Sequence, residues 1–325
     1  MKTTLKGKHL ITLQDWSREE IDTVMDVALQ LKREKALGIP HHLLEDKTLF
    51  MLFFEESTRT RNAFEAGITQ LGGHAHYLTP AQTQIDHGEG PKDTVEVLAR
   101  YGHAIGIRNC LLGKGNRYMR EMAKYSKIPV YNMQCDIYHP TQALADILTI
   151  KEKFANDLKG RKFVISWTYA PKYVRPLSMP QSLVMLMSRF GMDVTLAHPP
   201  EFKLMPDIIK QAEQNAKDAG VKFEIVHDMD AAFKDADILY PKSWGALMHT
   251  DDDKEALSLI DKYPNWVCDQ RKMDLSKPWS IYMHCMPADR GIEVTEEVMD
   301  GPHSVIYDQA ENRLHAQKAL MALTM

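Results

Sequence analysis

Thr48-Leu-Phe-Met-Leu-Phe-Phe54 is a continuous apolar run, the composition of a strand buried on both faces. Such a strand needs helices on either side of its sheet, which points to parallel pairing with crossover helices. The rest of the chain keeps that rhythm. Ser17-Arg-Glu-Glu20 has the form of a capping box and opens a helix to about Lys35, with Ile21, Val24, Met25, Ala28 and Leu31 on one face. After the apolar run, a helix carrying Phe64, Ile68 and Leu71 stops at Gly72-Gly73. Residues 76–78, 104–108 and 129–132 read as strands and 93–101 as a helix, and another helix starts at Pro140. Beyond a break at 156–160, strand-like runs at 162–167, 193–197, 223–226 and 238–240 alternate with helices at 179–190, 206–219 and 229–234. The expected fold is α/β, with two doubly wound parallel-sheet domains. Residues 1–150, rejoined by a C-terminal helix at about 300–325, form one domain and 151–299 the other.

A length of 325 residues suits two domains of roughly 150 residues each. The net charge of -4 and the lack of a long basic run argue against nucleic acid or an anionic membrane as partner. No apolar stretch is long enough to span a bilayer, and residues 1–10 lack the apolar core of a signal peptide. Four cysteines stand far apart without a C-x-x-C pair, which suits a reducing cytoplasm better than a disulfide framework or a zinc site. The nineteen methionines fall at apolar positions, as core filler does.

The chemistry concentrates directly after the first buried strand, in Ser57-Thr-Arg-Thr-Arg61. A strand running into a helix N-terminus leaves backbone N–H groups unpaired where the helix dipole favours an anion. A plain N-cap with solvated arginines would account for one Ser. Three hydroxyls interleaved with two arginines instead point to a tetrahedral dianion held bidentately. The Gly-rich turn and Lys of a Walker loop are missing.

This run resembles the S-x-R-T-R carbamoyl-phosphate motif of the aspartate/ornithine carbamoyltransferase family, and further matches follow in family order. Arg108 ends a strand where the family has an arginine that touches carbamoyl phosphate. His139-Pro-Thr-Gln142 matches H-P-x-Q, whose His and Gln bind the carbamoyl group. His284-Cys285-Met286-Pro287 matches H-C-L-P, which contacts carbamoyl phosphate and the second substrate. Glu311-Asn-Arg313 matches E-x-R, whose arginine reaches back to the carbonyl. Gln84 stands where related enzymes lend a residue to the neighbouring subunit, so the resemblance implies a homotrimer with shared active sites. It implies that Arg59, Thr60, Arg108, His139, Gln142, Cys285 and Arg313 form the catalytic set. Ser57, Thr58, Arg59 and Thr60 would hold the leaving phosphate. Thr60, Arg108, His139 and Arg313 would stabilise the oxyanion formed when a neutral amine attacks the carbamoyl carbon. Gln142 would accept from the carbamoyl NH2. Domain closure would concentrate the reactants and exclude water. No metal or other cofactor is needed.

The acceptor is less sharply marked. Ornithine enzymes carry D-x-x-x-S-M-G in the second domain, whereas here Tyr240-Pro-Lys242-Ser-Trp244-Gly245 has no S-M-G. Residues 166–180 replace a short strand-to-helix turn with a proline-bearing loop. Both features resemble the knotted branch, which includes N-acetylornithine, N-succinylornithine and YgeW-type transcarbamylases, and imply a trefoil knot at 168–180. The alternative is a long surface loop stiffened by proline. Lys242 and Trp244 are then second-substrate residues, with Met286 and Pro287. Asp289 stands where acetylornithine enzymes have an arginine, and Glu293 where they have a lysine that is carboxylated. Gln134 takes the place of a substrate-binding glutamate. Asp289 would repel a substrate carboxylate and attract a cationic or amide end, which favours an amine or ureido acceptor. Conventional ornithine or putrescine carbamoyltransferase is the second enzyme reading, and a non-catalytic anion-binding relative the third. No G-x-G-x-x-G follows the strand at 162–167, which removes a dinucleotide site.

Overall fold

The computed structural model describes residues 4–325. The chain divides into two compact units, one reaching to Leu148 and resuming at Ala310–Met325, the other Thr149–Gln309. No helix among the described residues is long and apolar enough to cross a membrane.

In the first unit α1 (Arg18–Ala36) begins on the Ser17 capping box, in which Ser17 Oγ accepts the Glu20 N–H and the Ser17 N–H donates to Glu20 Oε2 at 2.7 Å. There follow β1 (Thr48–Phe53), α2 (Thr58–Gln70), β2 (His74–Leu78), α3 (Pro91–Tyr101), β3 (Ala104–Asn109), α4 (Gly115–Tyr125), β4 (Val130–Cys135) and α5 (Pro140–Lys153). The sheet order is β2-β1-β3-β4, all parallel. Phe50, Leu52, Ile105, Ile107 and Val130 pack with Val95 of α3 and Met119 and Met122 of α4. Each such buried side chain contributes about 1.5–3 kcal/mol relative to exposure. The order of strands reverses between β1 and β3, and such a reversal opens a crevice at the carboxyl ends of the strands.

The second unit holds β5 (Lys162–Ser166), α6 (Ser178–Met187), β6 (Asp193–Ala197), α7 (Pro206–Ala219), β7 (Phe223–Val226), α8 (Met229–Phe233), β8 (Ile238–Pro241), α9 (Asp253–Ile260), α10 (Gln270–Met273), β9 (Ile281–Tyr282) and α11 (Glu296–Met299). Its sheet runs β7-β6-β5-β8-β9, again all parallel, with the reversal between β5 and β8. Val164, Leu239 and Tyr282 pack against Met229 and Phe233 of α8, Met273 of α10 and Val298 of α11. The last helix, α12 (Ile306–Thr324), starts among the residues of this unit and ends in the first.

Two parallel-sheet α/β units are thus what the alternating pattern predicts. The helix expected over 179–190 ends earlier, at Met187, and Ser188–Phe190 tightens into a 3-10 turn closed by Gly191 at φ 82°. The two-residue β9 and the four-residue helices α10 and α11 are too short to show a period. By contrast α4 and α9, which bury Met119 and Met122 and Ala256, Leu259 and Ile260 on one face, carry a helical pattern that the sequence reading leaves unassigned.

Candidate active site

The first unit's switch point gathers the motif residues that lie in it. Beyond β1 the Phe54 N–H still pairs with the Arg108 carbonyl, at 2.9 Å. Ser57 then takes an extended N-cap conformation and its Oγ accepts the Thr60 N–H at 3.3 Å. Thr58, Arg59, Thr60 and Arg61 form the first turn of α2, which carries no acidic residue. That turn offers backbone donors and a positive dipole end to an anion. Thr60 is buried, and its hydroxyl accepts from Arg313 Nη2 of α12 at 2.5 Å. Arg61 lies over the Tyr77 ring of β2 at 3.7 Å and pairs with Glu65 at 3.2 Å.

Arg108, at the end of β3, donates through Nη1 to Gln134 Oε1 at 2.5 Å. His139 and Gln142 are buried at the start of α5. Burial, together with the charges of Arg313 and Arg108, holds the His139 imidazole far below its ordinary pKa and therefore neutral near pH 7. Gln142 Nε2 donates to Asp146 at 2.8 Å, and its Oε1 is buried with no hydrogen-bond partner among the described residues. Four chain segments (57–61, 108, 139–142 and 313) therefore meet in one basic cluster. Gln84 is not part of it: it stands exposed on the 3-10 turn Gln84–His87.

In the second unit the ends of β5, β8 and β9 surround Glu293, a carboxylate only 1% exposed. Its Oε1 accepts from the Ser243 N–H at 2.9 Å and Thr168 Oγ1 at 3.2 Å, and its Oε2 from the Asp289 N–H at 2.8 Å. Arg175 Nη1 pairs with it at 2.7 Å, and Lys242 Nζ and His284 Nε2 lie at 3.8 and 3.6 Å. Burial alone would raise its pKa, but Lys242, His284 and Arg175 outweigh that and hold Glu293 well below the usual carboxylate range. Burial lowers the pKa of Lys242 and of His284, with Glu293 opposing in both. Asp289 pairs with Arg175 at 2.7 Å and with the more exposed Lys172 at 3.2 Å.

Trp244 is buried and its indole N–H donates to the Phe202 carbonyl at 2.9 Å, so the ring is spent on the interior. Cys285 and Met286 are half-buried and Pro287 is exposed, directly after β9. The His284 N–H donates to Gln309, whose Nε2 donates to the Tyr240 hydroxyl. The segment Ser243–Gly245 is bonded on two sides by the loop that follows β5. The Trp167 indole donates to the Trp244 carbonyl at 2.8 Å, and the Gly245 N–H donates to the Arg175 carbonyl at 2.9 Å. A Cβ on Gly245 would stand 2.3 Å from Val174 Cγ1, so any larger residue would have to displace the Val174 side chain. Sequence reasoning passed over Arg175, hidden in a loop without periodic pattern, and Glu55, whose place right after β1 was the available signal.

The family model described as aspartate/ornithine carbamoyltransferase, carbamoyl-P binding domain, matches residues 8–152. The one described as aspartate/ornithine carbamoyltransferase, Asp/Orn binding domain, matches residues 177–324. The chain belongs to the aspartate/ornithine carbamoyltransferase family. Within this family of carbamoyl-transferring enzymes, ornithine carbamoyltransferase of Pyrococcus abyssi is 41% identical over 100% of this chain and 98% of its own. N-acetylornithine carbamoyltransferase of Xanthomonas campestris pv. campestris is 38% identical over 97% of each. A solved structure of an N-acetyl-L-ornithine transcarbamylase mutant, complexed with carbamyl phosphate and N-succinyl-L-norvaline, superposes with a TM-score of 0.91. That match has 37% identity and covers 98% of this chain and 100% of the other.

Proposed function

We propose that this carbamoyltransferase moves the carbamoyl group between carbamoyl phosphate and the amine of a small acceptor, an ornithine derivative or another amine or ureido compound. The observation that carries the donor half is the basic cluster of the first unit, where Arg313 bonds Thr60 and burial, reinforced by Arg313 and Arg108, keeps His139 neutral. In this reading the first turn of α2, with Ser57, Thr58, Arg59 and Thr60, receives the phosphate. Arg108, His139, Thr60 and Arg313 surround the carbonyl oxygen, and the unpartnered Gln142 Oε1 accepts from the carbamoyl NH2. A neutral amine attacks the carbonyl carbon, the C–O electron pair moves onto the oxyanion, and its return expels phosphate, which carries away the amine proton. Donors pre-aimed at such an oxyanion are worth about 10²–10³ in kcat each.

Lys242, Cys285, Met286 and Pro287 are assigned to the acceptor. Asp289 and Glu293 act on it indirectly, because both are committed to Arg175. With its arginine neutralised from within, this region offers little to an acceptor carboxylate, which favours a neutral or cationic end over acetylornithine. The two-sided bonding of Ser243–Gly245 by the 167–175 loop supports the knotted type over a loose surface loop. The exposure of Gln84 suits a residue lent to a neighbouring subunit in a trimer. Ornithine itself is the second reading, favoured by relatives at 41% identity. Phosphate release from carbamoyl phosphate, measured against ornithine, acetyl- and succinylornithine, putrescine, lysine and ureido compounds, decides between them. No turnover with any of these, together with no protection of the wild-type protein by carbamoyl phosphate against heat, sinks the enzyme reading. Arg59→Ala is expected to abolish that protection.

A further inference from the structure

β4 carries one more residue than its partner at the point where the site begins. Ile107 pairs with Asn132, but the next pair is Arg108 with Gln134, so Met133 is a bulge. The Met133 side chain crosses the place where Gly106 would carry a Cβ, which would stand 2.0 Å from Met133 Cε. Gly106 thus makes room for the bulge, and the bulge sets the Gln134 amide opposite the Arg108 guanidinium, at 2.5 Å. On the other side, Glu55 Oε1 accepts the Cys110 N–H at 2.9 Å and pins the end of β3 two residues beyond Arg108.

We infer that Gln134 is the positioning residue of Arg108, and that it governs binding of the phosphorylated donor rather than contacting the acceptor. The inference rests on the carbamoyl-phosphate reading of the first unit. A neutral amide oxygen fits this task and other side chains do not. A hydrocarbon of equal length would leave the arginine without its acceptor, free to swing off the oxyanion position. A carboxylate would hold it more tightly but cancel the charge that attracts a dianion. Glu55 already brings one carboxylate near Arg108; a second would leave the guanidinium outnumbered.

The test compares wild type with Gln134→Met and Gln134→Glu, titrating each with carbamoyl phosphate from about pH 4 to 8 and following binding by the thermal shift it produces. Gln134→Met is expected to weaken binding about tenfold at every pH, the loss of one hydrogen bond to a charged group. Gln134→Glu is expected to weaken it at least as much near neutrality and to recover toward the wild-type value on acidification, as the introduced carboxyl takes up a proton. Unchanged affinity in both variants overturns the inference. So does an equal loss in both that tracks the stability of the unliganded protein and shows no acid recovery, which is what a merely structural role would give. Absence of any shift in wild type overturns the donor-site reading, and the inference with it.

Discussion

Replacing Glu293 by Gln takes one negative charge out of a buried cluster whose cations cannot leave with it. The amide can still accept the Ser243 N–H and the Thr168 hydroxyl through its single oxygen, so the loop geometry has a route to survive. What it loses is the second acceptor, used by the Asp289 N–H, and the charge that faces Arg175 at 2.7 Å and Lys242 at 3.8 Å. Removing one partner of a buried ion pair costs about 3–5 kcal/mol. Arg175 keeps Asp289, and Lys242, already lowered in pKa by burial, can shed its proton. The lower end, about 3 kcal/mol, is therefore expected, or a fall of about 10 °C in the unfolding of the second unit. Tryptophan fluorescence isolates that transition, because Trp167, Trp244, Trp266 and Trp279 all lie in the second unit and only Trp16 in the first.

The pH dependence adds a sign. Glu293 has a folded pKa well below the ordinary carboxylate value. Its stabilisation is thus fully present above the unfolded value of about 4.3 and is lost as the pH falls through the folded one. Urea unfolding from pH 7 downward should show wild type and Glu293→Gln converging in acid. A loss under about 1 kcal/mol at pH 7, or a gap that persists in acid, would refute the reasoning.

Two further outcomes concern the first unit. Arg313→Met breaks the bond to Thr60, so kcat for phosphate release should fall about 10²–10³-fold while carbamoyl phosphate still protects the protein from heat; a wild-type kcat would remove Arg313 from the mechanism. His139 has its folded pKa depressed by burial and by Arg313 and Arg108, so it stays neutral through the ordinary imidazole range and kcat/KM should show no acid limb near pH 6.5. A limb there that vanishes in His139→Asn would show that the imidazole is charged at work.

What could be read from the sequence and what could not divide along physical lines. The buried strands announced themselves because a run such as 49–53 has no polar residue to place in water, and the proposed anion grip was suggested because Ser57 to Arg61 stands directly after one. Position along the chain carried that information. The arrangement around Glu293 depended on position in space instead. Arg175, Ser243, Asp289 and Glu293 come from three distant segments, and nothing in their spacing says that a glutamate at 293 will be sealed from water and matched by an arginine from a loop. Trp244 shows the same limit: its motif-like place suggested a substrate contact, while its indole N–H is satisfied by Phe202 in the interior. The bulge at Met133 is also invisible in a strand pattern, since one extra residue shifts register without altering composition.

The two units treat charge in opposite ways, and that contrast argues for a division of labour. In the first, two arginines of the cluster are bonded to groups that leave their charge intact, Arg108 to an amide and Arg313 to a hydroxyl. Arginines held this way are oriented and still attract an anion. In the second, Arg175 meets two carboxylates within 2.7 Å and Lys242 leans on one of them, an arrangement that fixes a loop and spends its attraction internally. A phosphorylated donor needs the first kind of environment. An acceptor amine must be neutral to attack, and a surface whose cations are already matched neither repels a second ammonium on the acceptor nor recruits a carboxylate. Placing an arginine at position 289 while neutralising Glu293 should therefore move acceptor preference toward carboxylate-bearing amines without changing affinity for the donor.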